Sequence, residues 1–184
     1  MRPSSLLAAA LVGVATLASG TALAATLGIS LSSGSSGTSP SNPLVMSPER
    51  HGGLGSGQVY SVSAELTAHD AGTYQNATVT IALPAGIRLE SGALSGFTFQ
   101  GCTADSGSYF NVTSPSTCTW QRANHVGTGS NATVMSLVVK AAAMRFRDGQ
   151  EITLGGTFSA TGFTPAGGGA TQTVTPGTDA LYAR

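Results

Sequence analysis

VTIALPAGIRL, residues 79–89, is the stretch of sequence that decides the fold. Every second residue from Val79 to Leu83 is large and apolar, which is the period of a β-strand with one buried face. Pro84 ends this strand because it has no amide proton to donate to a neighbouring strand. Together with Gly86 it predicts a type I turn, with proline second and glycine fourth, after which the apolar alternation resumes. The stretch therefore predicts a strand, a corner and a second strand.

Similar alternation recurs along the chain, at residues 58–67, 75–83, 87–90, 97–100, 117–122, 133–141, 152–160 and 171–175. Gly155 and Gly156 predict either a weakened strand or a bulge within one of these segments. No segment has a convincing helical period, and nothing repeats within the chain. Short strands separated by turn residues predict an all-β protein, an immunoglobulin-like antiparallel β-sandwich of about seven strands.

The first 24 residues have the pattern of a secretory signal peptide. Arg2 supplies the positive end, residues 6–18 are apolar, and Ala22-Leu23-Ala24 is a small-residue cleavage pattern. No second apolar run of about 18 residues follows, so we expect no membrane span after the signal is removed. The sequence predicts a secreted, extracellular protein that is either released or held at the cell surface.

After the signal, the composition divides the chain into three parts. Residues 25–55 are rich in serine, glycine and proline and are predicted to be flexible, residues 56–176 to form the sandwich, and residues 177–184 to be a tail. Leu27, Ile29 and Leu31 are an exception because they alternate as in a short strand. We expect that segment to pair within its own domain or to be disordered, and the alternative is that it adds to the sheet of a neighbouring molecule.

The charge is low and balanced. Charged residues are 9% of the chain, and removal of the signal leaves seven basic and eight acidic residues, a formal charge of about −1. This argues against nucleic acid as a partner, since its recognition needs a basic patch. We interpret the abundant threonine as a result of its good packing on strand surfaces and of solubility that depends on hydroxyl groups.

Cys102 and Cys118 are the two cysteines of an exported chain, so a disulfide between them is predicted. A nucleophilic thiol would need an oriented histidine, and a metal site would need further ligands. Trp120 follows Cys118 by two residues, which places both side chains on one face of a strand. We therefore expect Trp120 to pack over the bridge.

Four segments resemble, in order, a conserved repeat of unknown function found in bacterial cell-surface and adhesin-like proteins: GQVYSVSAELTAHDAGTYQNATVTIALPAGIRLESG, CTW, SNATVMSLVVKAAA and DGQEITLGGTFSATG. The resemblance covers roughly residues 58–162, and the LPAG corner followed by the ATV strand carries it. Ala82 stands where the family often has aspartate, and one copy is present where the family usually has tandem copies. The resemblance implies a bacterial source, an immunoglobulin-like fold and a structural or adhesive setting, and it implies no catalytic residues.

Candidate catalytic and metal-binding groups are scattered over predicted loops. A nucleophilic serine would need a base oriented by a third group, and the spacing of the histidines does not predict such a triad. The acids are isolated, unlike a calcium loop, and lone aspartates are read as backbone hydrogen-bond partners. We therefore expect no enzyme activity, metal or cofactor. The residues considered are His51, His69, His125, Asp70, Asp105, Asp148 and Asp179.

Two further features of the sequence concern the surface. Asn76, Asn111 and Asn131 each begin an Asn-x-Thr glycosylation sequon, which is read as accidental because the resemblance points to bacteria. The cluster at residues 145–147, Arg-Phe-Arg, is suited to an acidic partner or a polysaccharide, although solvated arginines are the simpler interpretation.

The sequence thus predicts a non-enzymatic module with a structural or adhesive role, whose partner is a protein or a cell-surface polymer. The alternative is a module that binds carbohydrate or a small ligand with the loops at one end of the sandwich. Tyr109, Phe110 and Trp120, or Phe163, are the residues predicted to contact that ligand.

Overall fold

A computed structural model describes residues 24–34, 36–46, 59–104, 114–130, 132–141 and 149–184. The predicted signal peptide therefore lies outside the described residues, except for its last position. All named elements are strands: β1 Ala25–Ser32, β2 Val59–Ala68, β3 Ala71–Leu83, β4 Ile87–Leu94, β5 Thr98–Cys102, β6 Ser116–Thr128, β7 Ala132–Ala141, β8 Ile152–Ser159, β9 Gly162–Pro165, β10 Val174–Thr175 and β11 Gly177–Ala183. Within this part of the chain, no helix is long and apolar enough to cross a membrane.

The strands form two sheets. The first has the order β10-β1-β2-β7-β4, and the second has the order β11-β8-β3-β6-β5, with β9 also paired to β3. All pairs are antiparallel except the short β1–β10 pair. This confirms the predicted all-β, immunoglobulin-like antiparallel sandwich, although the described residues contain eleven strands instead of about seven.

The LPAG corner carries the chain from one sheet to the other, because β3 belongs to the second sheet and β4 to the first. The Ile87 amide donates to the Pro84 carbonyl at 3.1 Å, so proline is the first residue of the turn and Gly86 the third. Gly86 has φ +94°, as the third position of a type II turn requires. The predicted type I turn is therefore wrong, and the positive φ explains why glycine is needed.

The inward faces of the long strands were predicted correctly, because one face of each packs against the other sheet. The alternating residues of β2, β3, β7 and β8 are buried in one common core: Tyr60, Val62, Ala64, Leu66, Val79, Ile81, Leu83, Met135, Leu137, Val139, Ile152, Leu154 and Phe158.

The segment predicted to be flexible, residues 25–55, begins with a strand. β1 pairs with β2 from Leu27 to Ser32, which is the intramolecular alternative, and Leu27 and Leu31 are buried. Further along, Leu44 and Met46 are buried too, and their amides donate to the carbonyls of Tyr182 and Arg184 at 2.8 Å. The composition of these parts does not indicate this burial, which comes from the second sheet that covers their few apolar side chains. Residues 47–55 lie outside the described part.

The predicted tail, residues 177–184, is also a strand. β11 pairs with β8 along its whole length, and Leu181 and Ala183 are buried. The prediction is wrong here because only two apolar residues alternate in the segment, and their burial depends on strands distant in the sequence. The predicted strand at residues 171–175 is reduced to the two residues of β10.

The predicted bulge at the glycine pair is absent, since the register of β8 with β3 is continuous through Gly155 and Gly156. Irregularities occur instead between Leu89 and Ser91 in β4 and between Phe99 and Gly101 in β5.

A further irregularity lies in β3, where Asn76 has φ +49°. Tyr74 and Ala77 are three residues apart, yet both are completely buried. In a regular strand residues three apart face opposite sides. The left-handed backbone at Asn76 therefore changes which alternate residues of β3 face the core, so that Tyr74 before it and Ala77 after it both point inward.

Candidate contact surface

The predicted disulfide is confirmed. Cys102 and Cys118 are directly opposite one another in β5 and β6, with a Cα–Cα distance of 4.0 Å. The bridge ties the edge strand β5 to the sheet. Cys118 and Trp120 are both buried, as their spacing predicts.

Trp120 is a core residue. Its side chain is 1% exposed, its ring lies 4.9 Å from the Phe99 ring, and a Cβ added at Gly92 would come within 2.7 Å of it. The buried indole therefore has no exposed face for a ligand. This corrects the prediction that Trp120 contacts a ligand.

Phe163, also considered as a stacking residue, is 3% exposed and packs 4.7 Å from the Tyr74 ring. It is likewise part of the core. Tyr109 and Phe110 lie outside the described residues.

The histidines do not assemble a catalytic group within the described ranges. His69 is exposed, and His125 is 7% exposed, with its ring 5.6 Å from that of Phe97 and 5.7 Å from that of Phe158. Burial lowers the pKa of His125, and the nearby positive charge of Arg122 lowers it further. His51 lies outside the described part.

Asp70 and Asp179 both bind the backbone of β1. Asp70 Oδ2 accepts a hydrogen bond from the Thr26 amide at 2.8 Å, and Asp179 Oδ2 accepts one from the Leu31 amide at 2.7 Å. This is the structural role expected of isolated aspartates. In the described part of the chain, no three His, Cys, Asp or Glu residues are grouped so as to hold a metal ion.

The sequon residue Asn76 is exposed, and its side-chain amide donates to Thr161 Oγ1 at 3.1 Å. The remaining candidate residues lie outside the described part of the chain: Asp105, Asn111, Asn131, Asp148 and the cluster at residues 145–147.

The outward face of the second sheet is lined with hydroxyl-bearing side chains, and we call it the threonine face. Its residues lie on the outward side of β3, β5, β6, β8 and β11, and all are at least partly exposed. It consists of Thr78, Thr80, Ala82, Thr98, Thr117, Thr119, Gln121, Thr153, Gly155, Thr157, Ser159, Thr178, Ala180 and Tyr182.

The strand register aligns four threonines across the middle of this face. Thr157 lies directly opposite Thr178 on one side and Thr80 on the other, and Thr80 lies opposite Thr119. These residues belong to four adjacent strands, so neighbouring members are about 4.8 Å apart in the hydrogen-bonding direction. The result is a straight row of hydroxyl and methyl groups.

The hydroxyls of this row are available to an external partner. Among the described residues, the side chains of Thr80, Thr119, Thr157 and Thr178 make no hydrogen bond. By contrast, the neighbouring Thr78 hydroxyl donates to the Asn76 carbonyl. The row therefore offers unused donors and acceptors on a rigid sheet.

The outward face of the first sheet differs in charge. It carries charged residues: Glu65 in β2 is exposed, whereas the cross-strand neighbours Arg88 and Lys140 are buried, and Arg88 forms an ion pair with Glu90. No residue of the threonine face is charged. The two faces of the sandwich thus present different chemistry.

The pattern Thr-x-Thr, at residues 78–80 and 117–119, signals this face in the sequence. In the sequence, strand propensity alone accounts for such threonines. Their alignment across strands requires the register, which the sequence does not state.

Comparisons with known proteins bear on the fold alone. No family model matches the chain, and no curated protein matches it. The resemblance to the bacterial surface repeat therefore stays a prediction.

Several solved structures are similar in fold at low sequence identity. The major pilin subunit BcpA of Bacillus cereus has a TM-score of 0.44 and 11% identity over 86% of this chain. The OlpC cohesin of Clostridium thermocellum, in a complex with a dockerin, has a TM-score of 0.43 and 8% identity over 88% of this chain and 95% of that chain. AvmM, which catalyses a macrocyclization, has a TM-score of 0.35 and 10% identity, with 86% of this chain and 88% of that chain covered. The chain spans 40% of the length of the pilin chain.

Proposed function

We propose that this protein is a secreted, non-enzymatic module with a structural or adhesive role at the cell surface, and that the threonine face is its contact surface. The observation that carries the proposal is the row of four aligned threonines whose hydroxyls bind nothing within the described residues. A rigid sheet that presents unused hydrogen-bonding groups is suited to holding a partner without changing it chemically.

Two further observations support an extracellular setting. The Cys102–Cys118 disulfide is typical of oxidising compartments outside the cytoplasm. The first 24 residues have the pattern of an export signal. The partner is a protein or a cell-surface polymer, and the balanced charge argues against nucleic acid.

The alternative function, binding of carbohydrate or a small ligand by loops at one end of the sandwich, has less support. Trp120 and Phe163 are buried, so Tyr109 and Phe110 are what remains of the aromatic contacts proposed for that site. The threonine face is therefore the better candidate surface.

A cell-binding assay with a matched pair of variants tests the proposal. The labelled mature chain is incubated with cells of the organism that encodes it, and the fraction retained after washing is measured. Thr157→Lys places a charge in the middle of the threonine face, whereas Thr67→Lys places the same charge on a central strand of the first sheet, where Thr67 has comparable exposure.

We expect the natural chain and Thr67→Lys to be retained, and Thr157→Lys to be released at least several-fold more readily. Retention of no variant, including the natural sequence, would overturn the proposal. Equal loss for both substitutions would show that the threonine face is not the contact surface.

A further inference from the structure

The turn between β4 and β5 joins the two sheets at one side of the sandwich, because β4 is an edge of the first sheet and β5 an edge of the second. The Phe97 amide donates to the Leu94 carbonyl at 3.1 Å, and Gly96 has φ +76°. At its far end, β5 is tied to β6 by the Cys102–Cys118 disulfide. The turn is therefore the part of this corner that can move while β5 stays in the sheet.

The Phe97 ring packs against His125. The two ring centroids are 5.6 Å apart, Phe158 of β8 lies 5.7 Å from the imidazole, and His125 is 7% exposed. The Nδ1 atom of His125 is buried and has no hydrogen-bond partner among the described residues. A buried N–H without an acceptor is costly, so Nδ1 carries no proton in the folded protein. The ring is therefore neutral, with its proton on Nε2.

Neutral side chains surround the imidazole on β8 and β3. β8 contributes Phe158, and β3 contributes Tyr74, whose hydroxyl stays un-ionised because burial raises its pKa. Asp70 lies next to the Tyr74 hydroxyl, but its carboxylate binds the Thr26 amide at 2.8 Å. Within the described ranges, no carboxylate pairs with His125. A protonated imidazole would therefore lack a counter-ion.

One positive charge lies near both the ring and the turn. Arg122, three residues before His125 on β6, lies against the turn, since a Cβ added at Gly96 would come within 2.8 Å of its guanidinium. β2 meets this end of β6 with an apolar side chain, because a Cβ added at Gly127 would come within 2.8 Å of Ala68. Burial and the charge of Arg122 both lower the pKa of His125. Uptake of a proton would thus place a second positive charge near Arg122, among aromatic rings.

We propose that His125 and Phe97 form a pH switch, in which uptake of a proton by His125 opens the turn at residues 94–97 and exposes the Phe97 ring. Protonation gives Nδ1 an N–H without an acceptor and a charge that Arg122 repels, and rotation of the imidazole toward solvent relieves both. That rotation removes the surface on which Phe97 packs. The disulfide keeps β5 in place, so the sandwich stays folded. This inference goes beyond the proposed function, because it does not involve the threonine face.

Amide hydrogen exchange of the full mature chain, measured by NMR at about pH 7.5 and about pH 5, tests the switch. Protection is expressed relative to the urea-unfolded chain at the same pH, which removes the intrinsic dependence of exchange on pH. The Phe97 amide reports the turn. The amides of Val79 and Ile81, in the central strand β3, report global unfolding.

Three variants accompany the natural chain. His125→Phe keeps an aromatic ring and removes the titrating nitrogen. His69→Gln, at an exposed histidine, is the matched control. Arg122→Gln removes the repulsion and should reduce the response to acid, so it decides the result if His125→Phe proves unfolded by circular dichroism.

In the natural chain and in His69→Gln, we expect the protection of the Phe97 amide to fall roughly five- to thirtyfold between about pH 7.5 and about pH 5. About thirtyfold is the limit for one histidine whose pKa returns to about 6.5 in the open turn. His125→Phe should show no such fall. The protection of the β3 amides should fall much less than that of the turn.

Equal protection of the turn at both pH values would overturn the inference, since the aromatic rings would then accommodate the charged imidazole. A fall that persists in His125→Phe would assign the response to another group and would also overturn it. If the β3 amides lose as much protection as the turn, acid acts through global unfolding and there is no local switch. Where His125→Phe is unfolded, an undiminished response in Arg122→Gln would overturn the inference.

Discussion

The Asp179 carboxylate accepts a hydrogen bond from the Leu31 amide at 2.7 Å and so joins the two sheets of the sandwich at one side. Leu31 lies in β1 of the first sheet, beyond the part of β1 that pairs with β10, and Asp179 lies in β11, the edge of the second. The strands approach closely here, since a Cβ added at Gly177 would come within 2.6 Å of the Leu27 carbonyl oxygen. The Asp179 side chain thus accepts a hydrogen bond from the Leu31 amide, which has no partner strand in either sheet.

Replacement of Asp179 should destabilise the protein through this one contact. Asp179→Ala leaves the part-buried Leu31 amide without its acceptor, which should lower the free energy of unfolding by about 1–3 kcal/mol. Asp179→Asn keeps an acceptor oxygen and should cost less than half of that. Urea unfolding of the two variants measures the difference. Equal stability of Asp179→Ala and the natural protein would show that the contact does not hold the sheets together.

Reduction of the disulfide should lower stability without unfolding the sandwich at room temperature. The bridge closes a loop with a sequence separation of 16, for which the chain-entropy model gives about 3 kcal/mol. We expect a lower melting temperature in the presence of a reductant. The variant Cys102→Ala/Cys118→Ala should melt at that lower temperature with or without reductant. A natural protein unaffected by complete reduction, verified by a thiol assay, would contradict this.

Acid should destabilise the protein through His125. Its pKa in the folded state is lowered by burial and by the positive charge of Arg122, whereas in the unfolded chain it returns to about 6.5. The unfolded chain therefore binds the proton first as the pH falls below 6.5. The stabilisation is fully present above that pH and is lost as the pH falls from there to the folded pKa.

Urea unfolding between about pH 7.5 and pH 5 measures this dependence. His125→Gln removes the titrating group and should flatten the slope of stability against pH in that window. His69→Gln, at an exposed histidine, is the control and should leave the contribution of His125 in place. The same slope in the natural protein and in His125→Gln would contradict the assignment.

The core was predictable from the sequence because it depends on a period of two. Tyr60, Val62 and Leu66 face inward in β2, and Leu137 does so in β7, because only that register buries each strand's apolar side. The end of this alternation at Leu83, followed by Pro84, also predicted the corner. These features need nothing beyond neighbouring residues.

The strand β11 was missed, and β1 was predicted only as a short segment that either pairs within its domain or is disordered, because their own residues give a weak signal. In β1 the apolar positions alternate with glycine and serine, and in β11 only Leu181 and Ala183 alternate. The contacts that hold these strands come from residues distant in the sequence. Asp179 binds the backbone of β1, and β8 pairs with β11. Local composition therefore indicated a linker and a tail.

The threonine face was missed for a related reason. Each Thr-x-Thr pair is visible in the sequence, but the row needs Thr80 to meet both Thr119 and Thr157. Those alignments join residues about 40 and 80 positions apart, and period-two patterns do not encode the register between distant strands. For the same reason the sequence does not show that a Cβ has room at Gly155 but would crowd Ile29 and Leu31 at Gly156.

Substitution of the two adjacent glycines should have opposite effects. Gly155→Ala adds a methyl group at an ordinary contact distance of 3.6 Å from the Ala82 Cβ and removes backbone freedom from the unfolded chain, so stability should be unchanged or raised by up to about 1 kcal/mol. Gly156→Val should crowd Ile29 and Leu31 and lower stability by about 1–3 kcal/mol. Thermal and urea unfolding of both variants measure the effect. A loss at Gly155 as large as that at Gly156 would show that the outward side of β8 has no room for a side chain at Gly155.

Asn76 should be replaceable by glycine but not by alanine. Its φ of +49° costs a residue with a Cβ about 1–2 kcal/mol, a penalty that asparagine partly escapes through local hydrogen bonds of its side chain. Asn76→Ala should therefore lower the free energy of unfolding by about 1 kcal/mol or more. Asn76→Gly should stay within about 0.5 kcal/mol of the natural protein, since it loses only the exposed hydrogen bond to Thr161. If alanine and glycine are equally tolerated, the left-handed residue is not what turns both Tyr74 and Ala77 toward the core.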